Sequence, residues 1–193
     1  MDWVRRTLAV YRAWGLGTAL GVSVVLAGIA VVAGDASLNL SIVHNRITTV
    51  HVLPVLTETA LGFPLVDRTP GLTVLGKRSS TFVPTVRLIA AVVVTLPVAL
   101  ALVLIGWTVA GASVVVGFLG VSAVFVSLLK IWYWAPMLVV MVAWVALRPP
   151  YAAVGAGGEW MAISLATLLL GGTIFIGIES RRALPARQNG AYG

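Results

Sequence analysis

Residues 47–66, ITTVHVLPVLTETALGFPLV, decide the fold. The stretch is apolar enough to enter a bilayer, and about 20 mostly apolar residues are needed to cross one. It also carries His51, Pro54, Glu58 and Pro64, which make it the poorest span in the chain. Whether it crosses fixes the side on which every later loop falls. The positive charges arbitrate. With the stretch counted as a crossing, Arg5, Arg6, Arg12, Arg68, Lys77, Arg78, Arg87, Lys130, Arg181, Arg182 and Arg187 face one side, and only Arg46 and Arg148 face the other. Without it, Arg5, Arg6, Arg12 and Arg148 stand against the remaining nine of the 13. Cytoplasmic loops carry an excess of Lys and Arg. The first arrangement is therefore the expectation: six crossings with both termini cytoplasmic. A five-span chain, with 47–66 short or re-entrant, is the alternative.

Composition gives the solvent. Sixty per cent of the 193 residues are hydrophobic and 10% are charged; a soluble domain has about 25% charged residues. Too few polar side chains remain to cover a water-facing surface, so lipid is the expected partner of much of it. The net charge of +7 is scattered between apolar segments, which excludes a nucleic-acid-binding domain and fits contact with anionic headgroups. There is no cysteine, hence no disulfide, thiol nucleophile or thiolate metal site. Abundant Ala, Val, Gly, Leu and Arg with little Lys point to a GC-rich bacterium, and so to a bacterial cytoplasmic membrane.

The clearest spans are 13–33, 88–107 and 161–178. Residues 108–147 form a longer apolar run broken only by Lys130. As one helix it would be about 60 Å long, twice the hydrocarbon thickness. It is read as two helices, 110–129 and 131–147, turning near Lys130. The fold class is thus all-α: a polytopic transmembrane helix bundle over 13–178. Trp3, Trp14, Trp107, Trp132, Trp134 and Trp160 fall near the expected interfaces, and Trp144 nearer a helix interior. The first apolar run is too long for a signal-peptide core and reads as a retained anchor.

Residues 1–12, MDWVRRTLAVYR, read either as a short interfacial helix with Trp3, Val4, Leu8 and Tyr11 on one face or as a charged leader. Residues 67–87, DRTPGLTVLGKRSSTFVPTVR, form the largest cytoplasmic loop. Arg68, Lys77, Arg78 and Arg87 make it the best candidate for docking a soluble partner; the plainer reading is a basic loop held against headgroups. The outer loops 34–46 and 148–159 are short, and 179–193 is a basic tail. Gly71 to Lys77 has the skeleton of a phosphate-binding loop, but Arg78 stands where Ser or Thr must hold magnesium, and no strand precedes it. Any ATP would be bound by another polypeptide.

His44, His51 and Glu58 recur every seven residues, nearly sharing a helix face but about 10 Å apart, too far to hold one metal ion. An ionisable residue inside a span is a functional candidate, because burying it is costly without a partner or water. Glu58 is the only acidic residue placed inside a span. With His51 it forms the candidate intramembrane polar site, able to line a path, bind a polar or cationic substrate or exchange protons. The structural alternative is a hydrogen bond to a neighbouring helix through Thr57, Thr59 or His51. Ala13, Gly17 and Gly21, and later Ser113 and Gly117, have the small-xxx-small spacing that lets helices approach. Pro97 kinks the third span. No metal set, cofactor motif or catalytic constellation stands out, so an enzyme is not expected.

The interfacial leader, six spans, cytoplasmic ends and basic loop between spans two and three resemble the permease subunits of ABC-2-type exporters. The later segment VGFLGVSAVFVSLL, then WYWAPMLVVMVAWVAL and a Gly-rich loop, is similar to small actinobacterial integral membrane proteins grouped with them. The resemblance implies a homo- or hetero-oligomer of permease chains, energised by a cytoplasmic nucleotide-binding subunit docked on 67–87. A non-catalytic accessory subunit of a larger membrane complex is the alternative, and the scarcity of chemical residues suits it.

Overall fold

The computed structural model describes residues 15–33, 36–40, 45–66, 81–147 and 157–189, the side chains of 37–47, 147 and 183–189 excepted. The expected leader at 1–12, most of the loop at 67–87, and Arg68, Lys77 and Arg78 lie outside the described residues, and so does His44. The elements are α1 (Leu16–Ala33), β1 (Ser37–Leu40), β2 (Asn45–Thr48), α2 (Thr49–Leu61), a 3₁₀ turn (Phe63–Leu65), α3 (Phe82–Leu104), the single turn α4 (Val109–Ala112), α5 (Val114–Leu129), a second 3₁₀ turn (Lys130–Trp132), α6 (Trp134–Leu147) and α7 (Gly158–Asn189). Among the described residues the regular structure is helical except for the antiparallel β1–β2 pair, in which Leu38 pairs with Ile47. Ile47 and Thr48, expected at the start of a span, belong to that hairpin. Ile and Thr are β-branched and suit a strand.

Four helical stretches are long and apolar enough to cross a bilayer: Leu16–Ala33, Phe82–Leu104, Val109–Trp132 and Gly158–Arg182. Large apolar side chains point outward on all of them, among them Val32, Leu104, Leu128 and Leu169. Such faces suit lipid and would be a liability in water. The chain is therefore consistent with a multi-pass membrane protein.

The apolar run 108–147 divides at Lys130, whose φ of +52° ends α5. An L residue rarely takes that conformation, which here reverses the chain in the second 3₁₀ turn before α6. At the other junction α3 begins at Phe82, six residues earlier than the expected span. Pro84 reads as a turn signal in the sequence, but it sits in the first helical turn, where a missing N–H is harmless. Arg87 is in consequence a helix residue with a buried side chain, 4% exposed, and not a loop residue.

Packing follows levels along the bundle. At one end Val50 of α2 packs with Leu102, Trp107, Ala112 and Val115. Next, Leu53 meets Leu26 and Ala30 of α1 with Val98 and Ala101 of α3. Further along, Leu61 and Phe63 meet Leu16 and Ala19 of α1 and Val94 of α3. Thus α2 and its 3₁₀ turn run antiparallel beside nearly the whole of α1, and α3 returns beside them. The start of α2 is pinned to the end of α1, because the Thr49 N–H and hydroxyl each donate to the Ala36 carbonyl at 2.9 Å. Val55, Leu65, Ala91, Leu119, Ala123, Val126, Tyr133, Met137 and Phe175 form the largest apolar cluster, which joins α2 and α3 to α5, α6 and α7.

The tightest contact is between α5 and α7. A Cβ on Gly120 would lie 2.7 Å from Leu168 Cα, and one on Gly171 would lie 2.9 Å from Gly120 Cα. Backbone meets backbone here, where van der Waals contact drives association in lipid. Gly117 repeats the approach against Ser164. The Gly17–Gly21 ladder of α1 does not take part. Both residues are exposed, and α1 packs instead through Ala19, Ser23, Leu26 and Ala30.

Candidate functional site

The shortest of the main helices, α2, is enclosed by the bundle along one broad face. Its buried residues are Val50, Leu53, Pro54, Val55, Thr57, Glu58 and Leu61, spread over a little more than half of its circumference. Pro54 cannot donate a backbone hydrogen bond, so the first turn loses a rung of its ladder. Gly62 ends the helix by donating to the Glu58 carbonyl at 2.9 Å. A Cβ at Gly62 would press on Ser122 Oγ and come within 2.6 Å of the Tyr133 ring. Neighbouring helices hold α2 through two hydrogen bonds to its backbone: Tyr133 Oη donates to the Thr59 carbonyl at 2.9 Å, and Trp144 Nε1 to the His51 carbonyl at 3.0 Å.

Glu58 is fully buried, and neither carboxylate oxygen has a hydrogen-bond partner. The local bond expected of a structural carboxylate is not made by the residues nominated for it. Thr59 Oγ1 donates to Val55 of its own helix, Thr57 Oγ1 is buried without a partner, and His51 lies two turns away, about 10 Å along the axis. At 100° per residue Glu58 stands between Leu61, which meets Val94 of α3, and Gly62, which meets Ser122 of α5. Its carboxylate therefore faces the seam between α3 and α5. Ser122, fully buried, lies at that seam with its Oγ beside Gly62, and Thr95, also fully buried, follows Val94, which packs with Leu61. Thr95 Oγ1 donates to the Val92 carbonyl at 2.8 Å, while Ser122 Oγ has no partner. Ser23 on α1 is likewise buried with an unpartnered hydroxyl.

His51 belongs to a different place, near the hairpin end of α2. Its Nδ1 is hydrogen-bonded to Thr48 Oγ1, and its ring tilts at 47° to Trp107 with centroids 5.9 Å apart. Trp107, expected at an interface, is 6% exposed. The structure thus puts the two residues of the expected polar site on one helix but not in one site. Among the described residues no three His, Asp or Glu side chains gather as a metal set.

A cleft of about 170 Å³ opens between α5, α6 and α7, lined by Gly117, Phe118, Trp144, Trp160, Ser164 and Thr167. Trp144 stacks edge-on against both Phe118 (5.1 Å) and Trp160 (5.8 Å). Its lining is almost wholly apolar, which suits an acyl chain of the surrounding lipid better than a polar cargo.

Sequence reasoning found Glu58 but missed Ser23, Thr95 and Ser122, because a lone hydroxyl in an apolar run carries no signal of what it faces. Gly120 and Gly171 had one, since each stands beside or near another glycine in an otherwise bulky helix. Compared with models of known protein families, with characterised proteins and with solved structures, the chain matches none.

Proposed function

We propose that this chain is the membrane-embedded subunit of a transporter, and that its cargo path follows α2. The observation that carries the reading is Glu58: a carboxylate without a donor, buried in an apolar bundle, on a helix that contains a proline. Burying such a group is costly, and intramembrane ionisable residues mark substrate and ion pathways. In this reading 49–66 is a crossing, supported by its antiparallel run beside α1. The chain crosses six times, with both ends in the cytoplasm of a bacterium. The ABC-2-type resemblance adds the energy source, a separate ATPase docked on the basic loop through Arg68, Lys77 and Arg78. Buried Arg87 is left out of that docking surface.

Copurification from mild detergent with a nucleotide-binding subunit, and ATP-dependent export lost in Glu58→Gln, test the reading. A stable preparation in which the chain sits as one copy against unrelated larger subunits would instead favour the accessory role. The exposed Gly17–Gly21 ladder on α1 supports helix-to-helix assembly in either case.

A further inference from the structure

We propose that the seam where α2 faces α3 and α5 is a binding site for a small monovalent metal cation of the Na⁺ class. The Glu58 carboxylate supplies the charge, and Ser122 and Thr95 supply hydroxyl oxygens. The proposal rests on the reading of α2 as the polar axis of a transport bundle, and names what that axis binds.

The donor and acceptor balance at the seam points to a cation. Glu58 offers two oxygens with no donor. The Thr95 hydroxyl has given its hydrogen to the Val92 carbonyl, so its free capacity is acceptor only. Ser122 Oγ has no partner and lies where Gly62, lacking a side chain, leaves it room one turn beyond Glu58. Against these acceptors stand the unused hydroxyl hydrogens of Ser122 and, 100° round the helix from Glu58, of Thr57, so among the described residues acceptors still outnumber donors in this buried place. No side-chain cation of the chain stands at this depth among the described residues. α1, α5 and α6 carry no ionisable side chain. Arg87 precedes Thr95 by eight residues, about 12 Å along α3, and Lys130 is exposed at the far end of α5. His51 is about 10 Å the other way. One carboxylate matches one positive charge. Carboxylate and hydroxyl oxygens are hard ligands, whereas zinc or copper would call for imidazole or thiolate.

The test uses the full chain purified in mild detergent. Its thermal midpoint is followed as NaCl replaces choline chloride at constant ionic strength and fixed pH. A ligand that binds only the folded state stabilises it by mass action, so the wild type should show a saturable rise of about 4 °C or more. Glu58→Gln should abolish the rise, and Ser122→Ala, which removes one oxygen with little change of shape, should move half-saturation several-fold higher. Should the Gln variant fail to fold, Ser122→Ala and Thr95→Val still report. Equal midpoints in Na⁺ and choline, a response surviving in Glu58→Gln, or a response to acidification alone would each overturn the proposal. Because the readout is binding by the isolated chain, its failure is distinguishable from a failure of export in the transport assay.

Discussion

Two seams of the bundle are built on opposite principles. At their crossing α5 and α7 touch backbone to backbone through Gly120 and Gly171, with no hydrogen bond needed. Around α2 the neighbours are held by directed bonds from Tyr133 and Trp144, yet Glu58, Thr57 and Ser122 remain unpartnered. The first seam has only one way to be satisfied. The second still has hydrogen-bonding capacity to fill. In lipid, where apolar burial gives helices little reason to associate, close packing makes a rigid joint, while unmet polar groups mark the place where something else must enter.

The largest expected effects are on the rigid seam. Gly120→Val sets a branched side chain against the backbone of Thr167 and Leu168, which cannot swing aside; overpacking of this kind costs about 1–3 kcal/mol or more. Loss of the folded, monodisperse species in detergent is the expected outcome, with Gly21→Val as the control. Gly21 has open space around it, and surface changes of that kind stay within about 0.5 kcal/mol. Equal behaviour of the two variants would break the contrast between the seams.

Gly62→Ala should come next, at about 1–2 kcal/mol, because Ser122 Oγ and the Tyr133 ring can give a little where backbone cannot. Tyr133→Phe and Trp144→Phe each remove one donor to the α2 backbone, and each should lower stability by about 1 kcal/mol, read as a fall in thermal midpoint. The smallest shift is expected of Glu58→Met compared with the wild type in the absence of Na⁺. With no bond to lose, it should leave stability unchanged or raise it slightly, as apolar replacement of uncompensated buried charge does. A marked loss of stability there would assign Glu58 to the scaffold.

Much of the bundle was legible because helices in lipid must be apolar over a fixed length. That fixed length requires 108–147 to turn near Lys130, where the chain reverses. It says less about helix starts: Pro84 reads as a loop signal and proves to be a first-turn proline, which draws Arg87 into α3. The hairpin at β1–β2 was not legible either, since each strand is only four residues long. Glu58 stood out in the sequence because charge is rare in a span. Its surroundings did not, because which hydroxyls of α3 and α5 face it depends on how three helices are rotated, and no spacing within one helix records that. The same gap separates His51 from Glu58: a seven-residue spacing puts them on one face, but two turns of axis keep them apart.

In the proposed topology 49–66 passes through the bilayer beside α1. The natural chain has no cysteine, so single cysteines at Asn39, in the hairpin before α2, and at Lys77, beyond it, can be probed one at a time with a membrane-impermeant thiol reagent on intact cells. The account predicts labelling of Asn39→Cys from outside and of Lys77→Cys only after the membrane is opened. Labelling of both from the same face would mean that α2 enters and returns, and the six-crossing arrangement would be wrong.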